Sequence, residues 1–304
     1  RAGDGGGGGA GGWGVVGGAV GGRAGGGVGG QGGREIGPTG GSAVDGHMRT
    51  GDPDIYAVGD AVEVTHLVDG QQALIPLAGP ANRQGRIAAD NVFGRDSAYR
   101  GSQGTAICKV FDLTAAVTGL SEKALRRAGN VPFEKVIVHP SSHAGYYPGA
   151  SPITLKILFG RDSGKLLGAQ AVGAAGVDKR IDVLATAIRA GMTVFDLQDV
   201  ELSYAPPYGS AKDAVNYAGF VASNVLAGDV ALCHVEDIAS PTAGQQVLDV
   251  RTTDEVDAGA IPDAINVPLD ELRDRLDEVP RDKELLVYCQ AGLRGYIACR
   301  ILSQ

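Results

Sequence analysis

Cys289 closes an apolar run, Leu285-Leu286-Val287-Tyr288, and opens the loop Gln290-Ala291-Gly292-Leu293-Arg294-Gly295 before Tyr296-Ile297-Ala298. A cysteine between a strand end and a helix start faces backbone N–H donors and the positive end of the helix dipole. Both favour thiolate, the nucleophilic form of the side chain. Gly292 lets the loop curl around the sulfur, and Arg294 can brace the loop or meet an anionic substrate. The bland alternative is a buried structural thiol, the reading given to Cys299 inside the helix. A second constellation is Gly59-Asp60 at the end of the apolar stretch Ile55-Tyr56-Ala57-Val58, a glycine allowing close approach beside a carboxylate that can accept from hydroxyls. Its alternative is a plain turn. A third is a pair of tyrosine-bearing loops, His143-Ala144-Gly145-Tyr146-Tyr147-Pro148 and Tyr204-Ala205-Pro206-Pro207-Tyr208, whose phenols can donate hydrogen bonds or simply pack a Pro-rich interface. His139 and His143 are four apart, but Pro140 stands between them in a Ser-rich loop, so no metal site is expected.

The elements that must hold these residues divide the chain unevenly. Residues 1–33 carry 20 of the 49 glycines. Such a tract has no side chains to bury and is expected to lack fixed structure. Its G-x-G-x-x-G match, Gly12 to Gly17, is not followed by a helix pattern and reads as low complexity. Residues 34–100 hold the strand ending at Gly59-Asp60 and a helix opening near Pro80. Residues 101–230 read as α+β: a strand-like stretch from Thr105 to Val117, a helix capped by Ser121, a meander through Ile153 to Val172, and amphipathic helices over Asp178 to Ala190 and Ala214 to Leu226. Residues 240–304 read as a small α/β unit, with strands at Val247–Val250, Ile265–Pro268 and Leu285–Tyr288 and a helix over Leu269 to Leu276.

Composition removes several classes of function. The balance of 27 basic and 35 acidic residues gives a net charge of −8, which disfavours a nucleic-acid binder. No stretch approaches the roughly 20 apolar residues of a membrane span. Four widely spaced cysteines, Cys108, Cys233, Cys289 and Cys299, suggest neither a disulfide framework nor a zinc knuckle, and fit a reducing, cytoplasmic setting.

Residues 246–304 resemble a rhodanese domain: VLDVR (247–251), GAIPDAINVPLDEL (259–272) and the cysteine loop follow in order. The resemblance implies that Cys289 carries a persulfide, taking sulfane sulfur from a donor and passing it to a thiol or cyanide. Asp249 and Arg251 are expected to be structural, and the last strand and helix of such a domain are not found. TGDPDIYAVGDAVE (50–63) and Leu77-Ala78-Gly79-Pro80-Ala81-Asn82 resemble pyridine nucleotide–disulfide oxidoreductases. That likeness implies FAD, with Gly59 and Asp60 at the ribityl chain and Leu77 and Ala78 opening the helix near the flavin ring.

The middle segment resembles that family's dimerisation domain, implying a homodimer. It shows no late His–Glu acid/base pair. The run from Tyr204 to Asp213 is instead similar to coenzyme A-disulfide reductases and related NADH oxidases and persulfide reductases. In these, tyrosines of one subunit approach the other's redox cysteine. Tyr204 is the candidate for that role, with Tyr147 or its neighbour Tyr146 as the second. The resemblance as a whole implies an FAD-dependent NAD(P)H:disulfide or persulfide oxidoreductase with a sulfurtransferase tail, acting on coenzyme A disulfide or persulfide. An NADH oxidase or polysulfide reductase is the alternative enzyme. A dimerisation module with a regulatory rhodanese domain is the non-catalytic alternative. The family's first FAD-binding unit, its redox cysteine and its NAD(P)H-binding domain have no counterpart in these 304 residues, so the chain reads as a fragment expected to purify without flavin.

Overall fold

The computed structural model describes residues 14–17, 35–129 and 131–304. They form two compact units, one of residues up to 106 with 117–120, the other of 107–116 with 121–304.

In the first unit, β1 (Gly14–Gly17) pairs in parallel with β2 (Ile55–Val58), Gly14 opposite Ile55. A strand at these four residues corrects the expectation of a structureless glycine tract; glycine pairs wherever a neighbouring strand offers its edge, because its backbone groups are those of any residue. The rest of the tract lies outside the described residues. After β2 a turn over Gly59–Ala61 leads into the antiparallel pair β3 (Glu63–Thr65) and β4 (Gln72–Leu74), and then to α1 (Ala78–Val92). Tyr56, Met48 and Ala88 are buried together, so the pleat of β2 and one stripe of α1 share a core.

Next in the chain is a five-stranded sheet of order β5-β6-β9-β8-β7, built from β5 (Ala106–Val110), β6 (Leu113–Gly119), β7 (Phe133–Val138), β8 (Ile153–Gly160) and β9 (Leu166–Gly173). Two strands stand where one was expected from Thr105 to Val117, because Phe111 turns the chain with φ of 53°. α2 (Glu122–Ala128) starts where expected, with the Ser121 hydroxyl accepting from the Ala124 N–H at 3.2 Å. β7, β8 and β9 are antiparallel, Ile153 facing Gly173 and Val136 facing Ile157. Ile153, Leu155, Ile157 and Phe159 of β8 are fully buried, as are Ile181 and Leu184 of α3 (Val177–Ala190). A short helix, α4 (Asp196–Asp199), precedes α5 (Ala214–Leu226), which buries its small face, Ala214, Val215, Ala218 and Ala222. Asp213 caps α5 through the Val215 N–H and is held by the buried Arg180, whose Nη2 reaches its Oδ2 at 2.7 Å. The same Nη2 also donates to the Ser142 carbonyl. The start of α5 is therefore anchored on both sides.

After α6 (Val235–Ile238) comes a three-stranded parallel sheet, order β11-β10-β12: β10 (Gln245–Asp249), β11 (Ile265–Asn266) and β12 (Glu284–Tyr288). α7 (Thr253–Asp257) follows β10 and α8 (Leu293–Leu302) follows β12. Leu248, Val250, Val267, Leu272, Val279 and Ala298 form its core. The helix expected over Leu269 to Leu276 is a run of turns, with Glu271 N–H donating to Pro268 and Leu272 N–H to Leu269, before a single 3-10 turn at Leu276–Glu278. Tight i to i+3 turns bring Leu269, Leu272 and Leu276 onto one core despite the intervening acids.

Candidate functional site

The cysteine loop is built by β12, which ends at Tyr288, and by α8, which begins at Leu293. β12 lies next to β10 in register from Gln245–Glu284 to Asp249–Tyr288, so Cys289 leaves the carboxyl end of a parallel sheet. Its sulfur accepts the Gly292 N–H at 3.1 Å and the Gly295 N–H at 3.3 Å. Gly292 has φ of 95°, a conformation that side-chain-bearing residues avoid, and it is the residue that turns the chain into α8. These are donors aimed at one sulfur at the mouth of a helix, an arrangement suited to a sulfur that carries charge.

Arg294 does not point freely into solvent. It makes a two-pronged pair with Glu255, Nη1 to Oε2 at 2.6 Å and Nη2 to Oε1 at 2.7 Å. Arg294, followed by the Thr252 N–H, holds the Glu255 carboxyl down at about 2. Glu255 also closes the capping box of α7, accepting the Thr252 N–H at 3.0 Å. Arg294 is pushed up mainly by its bond to Glu255, and the charge of Cys289 adds to this. The side chain thus ties the cysteine loop to α7 while remaining close to the sulfur.

Beneath the loop lies a buried polar network. Asp249 is 1% exposed and accepts Arg251 Nη2 at 2.7 Å and the Tyr288 hydroxyl. Burial opposes its ionisation, but Arg251 and Tyr288 outweigh burial and lower its pKa. Asn266 donates to the carbonyls of Asp249 and Arg251. Every bond of this set joins strand ends and loops to one another, which is a structural role for Asp249 and Arg251.

Two residues near the sulfur were not singled out from sequence. One is Glu255, 39 positions from Arg294. The other is Tyr217 on α5, whose phenol is raised first by burial and then by the charge of Cys289. Thr252-x-x-Glu255 is a capping-box pattern that residue spacing alone can show, whereas the pairing of Glu255 with Arg294 and the position of Tyr217 belong to no local motif. Cys299 is raised by burial first and by Cys233 second, as befits a packed thiol.

In the first unit, Gly59 has φ of 85° and its N–H donates to the Gln84 side chain at 2.7 Å. Gln84 is buried on α1, so the helix braces the turn that carries Asp60. Among the described residues no hydrogen bond or ion pair engages the Asp60 carboxylate. Leu77 stands at the N-cap of α1 with no side-chain bond to the helix, leaving the first-turn amides from Ala78 uncapped. An unengaged acceptor beside a left-handed glycine and an open helix start fit the sugar-like chain and the ring of a flavin nucleotide.

Of the tyrosines, Tyr204 meets Tyr146, hydroxyl to hydroxyl at 3.1 Å. Tyr147 turns its ring edge to His143, with centroids 5.8 Å apart. Of the two neighbouring phenols, it is Tyr146 that reaches Tyr204. The hydrogen bond with Tyr146 is the main cause raising the Tyr204 phenol.

Residues 105–214 match the family described as pyridine nucleotide-disulphide oxidoreductase, dimerisation domain, and residues 235–304 match the rhodanese-like domain. The coenzyme A disulfide reductase of Staphylococcus epidermidis is 41% identical over 180 residues, 59% of this chain and 40% of that protein. The reduced CoADR-RHD of Bacillus anthracis is similar in structure, with 52% identity and a TM-score of 0.84 over 89% of this chain and 49% of that one. An NAD-dependent persulfide reductase from A. fulgidus shows 44% identity and a TM-score of 0.81, again over 89% and 49%. The chain spans about half the length of these solved relatives and two-fifths of the curated one.

Proposed function

We propose, for a chain that carries a pyridine nucleotide-disulphide oxidoreductase dimerisation domain followed by a rhodanese-like domain, that it belongs to a disulfide or persulfide reductase and loads sulfane sulfur on Cys289. The observation that carries this is the Cys289 sulfur receiving two main-chain N–H donors, from Gly292 and Gly295. The Cys289 thiolate attacks the outer sulfur of a donor such as thiosulfate. A new Sγ–S bond forms, the donor's S–S bond breaks, and sulfite leaves with the bonding pair. The outer sulfur remains on Cys289 as a persulfide anion. A thiol or cyanide then takes that sulfur, and the thiolate returns with no net oxidation of the enzyme. The loop amides hold Sγ in place through both halves, and Arg294, fixed by Glu255, keeps a cation beside the charged sulfur.

In the reductase part, Gly59, Asp60, Leu77 and Ala78 would hold FAD, the carboxylate at the sugar-like chain and the helix start at the ring. FAD supplies electron transfer between a reduced nicotinamide, NAD(P)H, and a disulfide or persulfide. Tyr204 and Tyr146 then serve as a phenol pair that donates hydrogen bonds to a sulfur substrate, coenzyme A disulfide or persulfide being the class that the relatives suggest. The domain boundaries we assign are 34–100, 101–230 and 240–304. Two copies associate through the sheet of the dimerisation domain, supported by the exposed apolar side chains of Ile107, Val110, Phe111 and Leu113. The four cysteines are free thiols, in keeping with a cytoplasmic setting.

The test is thiosulfate:cyanide sulfurtransfer by the wild-type chain and by Cys289→Ala. Turnover is expected to vanish in the variant. Equal rates would remove Cys289 from the chemistry.

A further inference from the structure

Helix α5 of the dimerisation domain has two faces. Ala214, Val215, Ala218 and Ala222 are buried against the sheet side, whereas Tyr217, Phe220 and Asn224 follow the i, i+3, i+7 spacing of the opposite face. That face meets the rhodanese-like domain. The Asn224 side chain donates to the Tyr296 hydroxyl at 3.2 Å, and Tyr296 lies in the first turn of α8, next to Gly295 whose N–H holds the sulfur. Beyond the end of α5, Asp229 receives Arg300 through its carbonyl and, at 3.4 Å, its carboxylate.

The order of these two ties sets the direction. Asn224 to Asp229 on one side matches Tyr296 to Arg300 on the other, so the two segments run in the same sense. Tyr217 lies seven residues before Asn224, about 10 Å back along a helix. That displacement carries it from the first turn of α8 toward the cysteine loop. Consistently, the charge of Cys289 is felt at its phenol. The raised phenol stays protonated at neutral pH and is therefore a donor. Among the described residues no hydrogen bond engages the Tyr217 hydroxyl, and none engages the Lys212 ammonium.

Lys212 completes the wall. Its Nζ stands 5.8 Å from the ring centroid of Tyr217 and 5.9 Å from that of Phe220. The carboxylate next to it in sequence, Asp213, is already held by Arg180 and the cap of α5. The charge of Lys212 is therefore not neutralised by its neighbour.

We propose that Tyr217 and Lys212 form a second wall of the Cys289 site: the phenol donates to the anionic outer sulfur of the persulfide, and the ammonium draws anionic sulfane-sulfur donors toward it. The inference rests on the sulfurtransferase reading of Cys289. Its consequence is that the dimerisation domain contributes to the rhodanese-like chemistry as positioning residues, not only to association of subunits.

The experiment compares wild type, Tyr217→Phe, Lys212→Gln, Lys212→Arg and Cys289→Ala in two assays. In thiosulfate:cyanide turnover, Tyr217→Phe keeps the ring and is expected to lose about tenfold in kcat/KM, the worth of one hydrogen bond to a charged group. Lys212→Gln is expected to raise the thiosulfate KM with kcat little changed, and Lys212→Arg to restore it. In the second assay, mass spectrometry follows alkylation of Cys289 by anionic iodoacetate and neutral iodoacetamide, with the exposed Cys108 as internal reference. The ratio of the two rates cancels the intrinsic reactivity of the thiol. It should fall about threefold at Cys289 in Lys212→Gln, the size expected of one partly exposed charge, and stay constant at Cys108. Equal turnover by wild type and Cys289→Ala would sink the underlying reading. Turnover that depends on Cys289 but is unchanged within twofold by Tyr217→Phe, with an unchanged alkylation ratio in Lys212→Gln, would overturn the second wall alone.

Discussion

Two glycines donate to the Cys289 sulfur, and replacing each by alanine should have opposite effects on stability. At Gly292 an added Cβ meets nothing within 4 Å, so sterics with neighbours cost nothing. The backbone alone decides: φ is 95° and ψ −31°, which a residue with a Cβ occupies at a cost of about 1–3 kcal/mol. For a unit of about 150–250 residues, each kcal/mol moves Tm by roughly 2–4 °C, so Gly292→Ala should lower it by about 2–12 °C. Gly295 differs because it sits inside α8, with an added Cβ 3.7 Å from the Val287 carbonyl and 3.9 Å from Sγ, both ordinary contacts. Alanine there gains up to about 1 kcal/mol of helix propensity. Relief of strain in Gly292→Ala would move the loop amide away from the sulfur, and sulfurtransfer should drop about tenfold, as for one lost hydrogen bond to a charged atom. Thermal unfolding followed by circular dichroism, with thiosulfate:cyanide turnover on the same samples, checks both numbers. The reasoning fails if Gly292→Ala matches wild type in Tm and rate, or if Gly295→Ala is the less stable of the two.

Other consequences can be measured independently. Glu122 is opposed by burial but receives Lys135, Lys156 and Arg126, which together bring it from 4.5 to about 2. Its folded pKa is depressed, so its contribution to stability is complete above 4.5 and disappears as the pH falls toward about 2. Urea titrations of wild type and Glu122→Gln should therefore differ most above pH 4.5 and converge in acid; parallel curves across that window would contradict the assignment. Phe111 is 92% exposed at the turn between β5 and β6, with φ of 53°. Aspartate tolerates that conformation, so Phe111→Asp should keep the fold while weakening self-association in sedimentation velocity. An unchanged sedimentation coefficient would place the subunit contact elsewhere.

The parts of this protein that were legible in its sequence share one property: their physics is local. A strand, a cysteine, a left-handed glycine and a helix start lie within about a dozen residues of Cys289, and each follows from backbone preference alone. Gly59-Asp60 is of the same kind. The N-cap at Ser121 and the helix over Ala214–Leu226 appear where hydroxyl capping and periodicity place them. Where backbone preference was balanced, reading failed. Leu269 to Leu276 carries a helical spacing of leucines, yet tight turns satisfy the same burial with fewer residues in line. The glycine tract gave no hint that Gly14–Gly17 would lie along Ile55–Val58, since pairing depends on the edge of another strand.

Side-chain partnership across long separations was likewise invisible. Tyr146 and Tyr147 are chemically equal neighbours, and only the course of their loop sends one to Tyr204 and the other to His143. Arg294 looked equally able to bind substrate or brace the loop, until α7 brought Glu255 within 2.7 Å. Residue types and spacing alone determined that Cys289 is a nucleophile candidate and that Asp60 ends a strand facing a helix, because local backbone geometry follows from a few adjacent residues. Tertiary structure decided which charges and phenols surround them. The hydrogen bond from Asn224 on α5 to Tyr296 on α8 joins residues 72 positions apart, and no short-range preference encodes such a meeting.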